Sequence, residues 1–423
     1  MMSRSPVRTV SLAISIALLL APRSVWPQGG PLGPEFRVNT YTTNDQRYPS
    51  VALAGGTGDF VVVWQSDSED GSSYGAFGQH FSASGAPLGP EFRANTFTPG
   101  NQGHAGPAVA LDPSGNYVVT WSSYGQDGDG FGVFAQRYSS AGAPLGSEFR
   151  VNTATSSHQA LSSVATDASG NFVVVWMTSF PENVWGQRYA SSGAPVGAQF
   201  KINTSGIGGF APIVASNAAG DFVVVWQRND DSSSLGVFGR RFAASGAPLS
   251  GEFRVNTVLA GNQYYPRVAS DAVGNFVVIW GSGDGSDTGV FGQRFASSGA
   301  PLGGEFRVNT FTTGVQGRNY AAPSVASDAA GNFVVVWGSD AQDGSQGGIF
   351  GQRFDSAGAA VGPEFRVNTY TTNRQAWVSV GADGAGDFVV VWTSYSQDGS
   401  VDGVFGQRFG AIVPVELTHF GVE

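Results

Sequence analysis

The side chains best suited to touching a ligand are aromatics, arginines, histidines and amides set in polar loops. They include Arg47, Tyr48, His104, His158, Tyr264, Tyr265, Arg318, Tyr320, Arg374 and Trp377. Aromatic faces beside guanidinium and amide groups suit contact with carbohydrate or peptide. A glutamine recurs among them, six positions after a threonine, as Gln46, Gln102, Gln159, Gln263, Gln316 and Gln375, with Phe210 in its place once. Two readings of it stand. The amides form a ring around a shared site, or each ties down the backbone of its own loop.

The acidic residues offer less. Asp-Gly-rich loops carry Asp127, Asp129, Asp343 and Asp398. Calcium takes six to eight oxygens, and each loop supplies one or two carboxylates, so an ordinary Asp-Gly turn competes with a calcium site. Hydrolysis of a glycosidic bond needs two carboxylates at a defined separation. Six glutamates, Glu35, Glu91, Glu148, Glu252, Glu305 and Glu364, occupy one place in a repeated phrase, which reads as structural. Glu69 and Glu182 are the loop exceptions, with no evident partner. His80, His104, His158 and His419 show no metal-ligand spacing and sit in no nucleophile motif. The chain has no Cys, hence no thiolate chemistry. On these grounds no catalytic residue is expected and the protein reads as a non-enzyme. Calcium is the one cofactor its loops suggest.

The elements that hold these residues are plain. A strand phrase, Phe60-Val61-Val62-Val63-Trp64, returns at Tyr117–Trp121, Phe172–Trp176, Phe222–Trp226, Phe276–Trp280, Phe333–Trp337 and Phe388–Trp392. Nearly every position is apolar, so both faces seek burial, as in a strand between two layers. Before it runs Pro-Ser-Val-Ala and an Asp-x-x-Gly-Asn turn, as at Asp112–Asn116. After it come a polar loop, Gly-Val-Phe-Gly-Gln-Arg-Phe (Gly403–Phe409), a second turn, and Glu-Phe-Arg-Val-Asn-Thr. In that last strand Phe306, Val308 and Thr310 are expected on one face and Glu305, Arg307 and Asn309 on the other.

Four antiparallel strands in about 55 residues match one propeller blade. The outer-strand Phe occurs at 36, 92, 149, 200, 253, 306 and 365, which gives seven blades. The phase is decisive. The chain begins with an outer strand, Glu35–Thr40, and ends with a third strand, so the N-terminal strand must complete the last blade. The expected fold is all-β, a single seven-bladed β-propeller of four-stranded antiparallel blades over residues 29–410. The loops after Asn-Thr and after Trp share one variable face, where function is expected. Short loops in blades 3 and 4 predict a lowered rim there, and the loop Phe311–Pro323 a raised wall near blade 6.

The full phrase, Glu-Phe-Arg-Val-Asn-Thr, Pro-Ser-Val-Ala-x-Asp-x-x-Gly-Asn-Phe-Val-Val-Val-Trp, Gln-Asp-Gly-Ser and Gly-Val-Phe-Gly-Gln-Arg-Phe, resembles a tandem repeat of large secreted and surface proteins of bacteria. The resemblance covers nearly all of residues 29–410. It implies an extracellular β-propeller, often beside adhesion or calcium-binding modules, and carries no catalytic residues. The tail, 411–423, contains Val413-Pro414-Val415-Glu416-Leu417, similar to a junction preceding C-terminal modules in exported proteins.

Composition narrows the partners. The net charge is −10 and Lys201 is the lone lysine, which disfavours nucleic acid and anionic membranes. Arg4 and Arg8 precede an apolar run, Val10 to Ala21, so residues 1–28 read as a secretory signal peptide. No later segment is long and apolar enough to span a bilayer. The expectation is a monomeric propeller, secreted or at the cell surface. It acts as a binding, adhesion or structural module for glycan, peptide or surface protein. The alternative is a carbohydrate-active enzyme, hydrolase or lyase, using the same face.

Overall fold

The computed structural model describes residues 29–204, 208–229, 234–283 and 287–412. The expected leader, residues 1–28, and the tail beyond 412 lie outside the described residues. Beside the last blade, Ile412 is buried and donates its N–H to the Gly386 carbonyl.

The described strands form seven four-stranded antiparallel sheets. Blade 1 runs outward from the axis through Gln46–Leu53, Phe60–Asp67, Tyr74–Phe81 and Phe92–Arg93. Blade 7 runs through Gln375–Ala382, Phe388–Tyr395 and Asp402–Phe409, and its fourth strand is Phe36–Arg37 from the start of the chain. Phe36 pairs with Gly406 and Arg37 with Phe405, so the expected three-plus-one closure is present.

The apolar second strand explains why blades stack. Val61 and Val63 pack toward blade 2, while Phe60, Val62 and Trp64 pack toward Val389, Val391 and Val404 of blade 7. The core therefore lies between blades, and no blade buries its own faces alone.

The outer strand departs from its expected alternation. Asn309 is buried alongside Val308 rather than facing away from it. Its carbonyl oxygen accepts the Val290 N–H at 2.8 Å, replacing a backbone partner. The ladder proper ends at Phe306–Arg307 because a side chain takes over from the main chain.

Two rings of clasps join neighbours. At the outer edge, a glutamate accepts the N–H and hydroxyl of a Thr in the preceding blade, as Glu148 does from Thr96 and Glu35 from Thr369. On the other face, the repeat Arg donates to carbonyls of the next blade, as Arg188 does to Ala244 at 2.7 Å. The repeated Glu and Arg are thus structural.

One clasp is anomalous. In blades 2, 6 and 7 the glutamate also accepts a glutamine amide, from Gln126, Gln342 and Gln397. In blade 1 that place is held by Glu69, hydrogen-bonded to Glu91. Two carboxyl groups can bond only if one keeps its proton. Burial, then Glu91, raises Glu69 to about 8 from an ordinary 4.5. The folded state holds this proton more tightly than the unfolded chain. Its stabilisation is complete below the ordinary value and is lost as pH rises through about 8. Glu69→Gln, which restores the amide–carboxylate pair, is expected to raise the melting temperature more at alkaline than at mildly acidic pH. Melts at both pH values check this, and an equal effect at both would contradict it.

Candidate functional site

The inner strands carry a shared irregularity at the variable face. In five blades the pairing of first and second strands slips between residues such as Arg47 and Ser50, or Tyr264 and Arg267. The bulge residue there is left-handed: Tyr48, Leu161, Ala211, Tyr265 and Trp377 have φ between 48° and 55°. In blades 2 and 6 a short loop replaces the bulge, and Ala105 and Asn319 take the same conformation. For a residue with a side chain this conformation costs roughly 1–2 kcal/mol. Bulges turn a side chain out of the pleat, and these seven turn inward.

All seven line one bowl of about 770 Å³. Backbone symmetry is kept while the side chains differ. Blades 5, 6, 7 and 1 contribute Tyr265, Asn319, Trp377 and Tyr48, and blades 2 to 4 contribute Ala105, Leu161 and Ala211. At these seven positions the lining is therefore polar and aromatic from blade 5 round to blade 1 and aliphatic in blades 2 to 4.

The walls add further groups. Tyr48 and Trp377 pack with ring centroids 4.7 Å apart. His104 stacks on Phe131 at 4.7 Å, and His158 lies tilted to the same ring at 5.6 Å. Burial, reinforced by His158, lowers the His104 pKa, which leaves its imidazole neutral at neutral pH. The loop of blade 6 folds into a short 3-10 turn, Asn319–Ala321, that raises Tyr320 into the wall. The Tyr320 hydroxyl donates to Asp340 at 3.1 Å, and burial raises the pKa of both groups. In blade 3 the second and third strands are joined by Phe180-Pro181 alone, so the rim is low there, as expected. Phe180 stands 83% exposed at that gap.

Of the residues singled out in the sequence, Tyr48, His104, His158, Tyr265, Tyr320 and Trp377 meet in the bowl. The glutamines do not. Gln46, Gln102, Gln159, Gln263, Gln316 and Gln375 are buried, and each donates to a carbonyl of its own loop, as Gln46 does to Thr43 at 2.8 Å. Of the two readings of the recurring glutamine, the tie to its own loop is the one these bonds support, and the ring around a shared site does not form. Arg47 is held by Asp45 and the Tyr74 hydroxyl. Arg318 lies over the Tyr264 ring, and the Tyr264 hydroxyl accepts from Asn262. Arg374 sits 5.2 Å from both the Tyr320 and Trp377 rings, buttressing the wall from behind.

The calcium candidates are also reassigned. Asp127 accepts from Asn152, Asp129 from the Ser157 N–H, Asp343 from the Ser345 N–H and Asp398 from the Ser400 N–H. Asp343 and Asp398 shape their own loops, Asp127 ties its loop to the outer strand of its blade and Asp129 ties it to the loop entering blade 3, and among the described residues no three acidic or histidine side chains converge.

Sequence reasoning missed Arg267, Asn319 and Phe131. A signal for Arg267 existed: Pro266-Arg267-Val268-Ala269 breaks the Pro-Ser-Val-Ala phrase. The left-handed bulge leaves no mark in the apolar pattern, so Asn319 had none.

No family model matches the sequence, and no curated protein matches it. Solved structures do. A protein of unknown function from Dyadobacter fermentans DSM 18053 is similar with a TM-score of 0.54 at 10% identity, over 91% of this chain and 100% of that one. The polysaccharide lyase Uly1 is similar with a TM-score of 0.51 at 9% identity, over 93% and 94%. An α-L-arabinanase from Penicillium chrysogenum, solved with arabinobiose, gives 0.49 at 12% identity, over 90% and 99%. At such identities the likeness is one of fold alone. At that level it overturns the expectation of a non-enzyme, which rested on the repeat-built architecture and the lack of a carboxylate pair: a polysaccharide-cleaving enzyme shares this architecture along nearly its whole length.

Proposed function

We propose that this protein is an exported carbohydrate-active enzyme that takes a glycan chain into the axial bowl and cleaves it there. One observation carries the reading: seven left-handed residues, one per blade, face one ligand-sized cavity, and Tyr48, Tyr265, Asn319 and Trp377 among them give it an aromatic and polar arc. Tyr and Trp faces stack on sugar rings, and the cavity volume suits a few sugar units. The low rim at blade 3, with exposed Phe180, gives a longer chain a way out.

The lining limits the chemistry. Among the described residues it includes no carboxylate, so hydrolysis by a pair of acids has no pair there. The groups able to move a proton are His104, His158 and the tyrosines. The fold shared with a polysaccharide lyase agrees with cleavage that needs no carboxylate pair.

The leader at residues 1–28 and the repeat's resemblance to secreted bacterial proteins support an extracellular setting. No helix among the described residues is long and apolar enough to cross a membrane. The outer edge strands are two residues long in five of the seven blades, which gives a second copy little to pair with and supports a monomer.

A glycan array followed by product analysis tests the reading. The parent protein is expected to retain and shorten at least one polysaccharide. Trp377→Ala should weaken that binding about tenfold, the loss of one aromatic anchor. A broad array with no glycan bound would reject the proposal.

A further inference from the structure

One side chain at the bottom of the bowl stands outside the repeat. Just past the bulge, the blades carry Ser50, Ala108, Ser163, Ile213, Arg267, Ser324 and Ser379 in turn. Serine here has a structural task. The hydroxyls of Ser163, Ser324 and Ser379 accept the N–H groups of Val214, Val380 and Val51, each across a blade boundary. Arg267 replaces that small group with a guanidinium.

Among the described residues no acidic side chain pairs with it. Its hydrogen bond within the described residues runs from Nη1 to the Pro266 carbonyl at 3.1 Å. The ion pairs there, Arg47–Asp45 and Arg228–Glu252, do not include it, and the bowl has no acidic lining residue. The side chain is half-buried by exposed area, because it faces the bowl, yet protein surrounds it closely on the other sides. Desolvation lowers its pKa to about 10, so it stays charged at neutral pH. A guanidinium has five N–H donors in a fork that matches a carboxylate, and one carbonyl uses a single donor. The remainder point toward an anion that arrives with the ligand.

Tyr265, two residues earlier, lines the same bowl. Its hydroxyl lies 3.5 Å from Asn319 Oδ1, and its field favours the Arg267 cation. A proton-transferring group thus sits beside the cation.

Resting on the reading of the bowl as a glycan site, we infer that it selects a uronate sugar, seats its carboxylate on Arg267, and cuts the chain by β-elimination through Tyr265. Neutralising the carboxylate acidifies the proton on the adjacent carbon, C5. The Tyr265 phenol oxygen takes that proton as its own hydroxyl proton passes to the departing C4 oxygen. The C–H electron pair forms the C4=C5 double bond as the C4–O bond breaks, and the phenol ends the step as it began. One alcohol and one unsaturated uronate result, with no water, metal or redox partner consumed.

The test pairs uronate polysaccharides (polygalacturonate, alginate and a glucuronan) with their carboxyl-reduced neutral counterparts, using calorimetry for binding and ultraviolet absorbance for the new double bond. At least one acidic polymer should bind at least about tenfold tighter than its neutral counterpart and generate absorbance. Arg267→Ser installs the residue that four other blades carry there, so the fold should accept it. It should erase the preference for the acidic form while leaving the melting temperature near that of the parent. Tyr265→Phe should retain binding and lose the absorbance. Equal binding of acidic and neutral forms would overturn the inference and leave the glycan reading standing. Failure of both forms, and of every other glycan, would sink that reading as well. Arg267-dependent binding without absorbance would overturn the eliminative step.

Discussion

Deleting residues 29–40 is expected to open the ring and abolish the monomeric fold. This segment supplies the fourth strand of blade 7. It brings buried Val38 and Asn39, and Phe36, whose ring packs 5.5 Å from Phe81 and 6.2 Å from Phe60. Phe36 lies so close over Gly406 that a Cβ there would meet its ring at 2.8 Å. The main chain is joined by Val38 N–H to the Val404 carbonyl at 2.8 Å, and Asn39 accepts the Val404 N–H at 2.7 Å. Glu35 clasps Thr369 across the seam. At about 1.5–3 kcal/mol per large buried side chain and about 1 kcal/mol per hydrogen bond, the loss is roughly 5 kcal/mol or more. That rivals the whole stability of many domains. It also strips the partner from Asp402–Phe409, leaving an apolar edge strand that invites self-association. Size-exclusion chromatography and urea unfolding should show aggregates and a lowered midpoint. A monomer unfolding at the parental midpoint would mean that the ring does not depend on this seam.

Trp280→Ala is expected to cost about 3–5 kcal/mol, as truncation of a buried large aromatic does. The indole is fully buried and packs across the blade boundary against Val223, Val225 and Val237 of blade 4. The cavity would open between two blades, where the core of this fold resides. Trp280→Phe should cost much less, because the indole N–H has no acceptor among the described residues and only volume is lost. Urea midpoints of the two variants check the order. A cost below about 1 kcal/mol for alanine would contradict the burial.

The architecture was legible because its causes are periodic. A five-residue apolar run reports a strand buried on both faces, and the offset between first and last phrases reports which strand closes the ring. The low rim at Phe180 and the raised turn at Asn319–Ala321 followed from loop length. The site was legible only in part. Tyr48, Tyr265 and Trp377 stood out as aromatics in polar loops, but their common aim depends on a backbone sign change that residue type does not reveal: Tyr, Leu, Ala, Asn and Trp all occupy it. The glutamines left two readings open for the opposite reason. Their regular recurrence reflected a constraint repeated in every blade, a loop to be tied, and what repeats in all seven blades is the scaffold. Arg267 was recoverable as the exception to a phrase.

The seven inward-turned, left-handed positions carry a consequence for how such a site can change. Main-chain geometry sets the direction of each side chain, and the packed seams between blades lie behind it, out of reach of whatever is mounted there. The positions behave as seven sockets around a turntable. Exchanging an occupant rewrites what the bowl recognises at one bearing without disturbing the mount, and reaches the next bearing only where two occupants touch, as Tyr48 and Trp377 do.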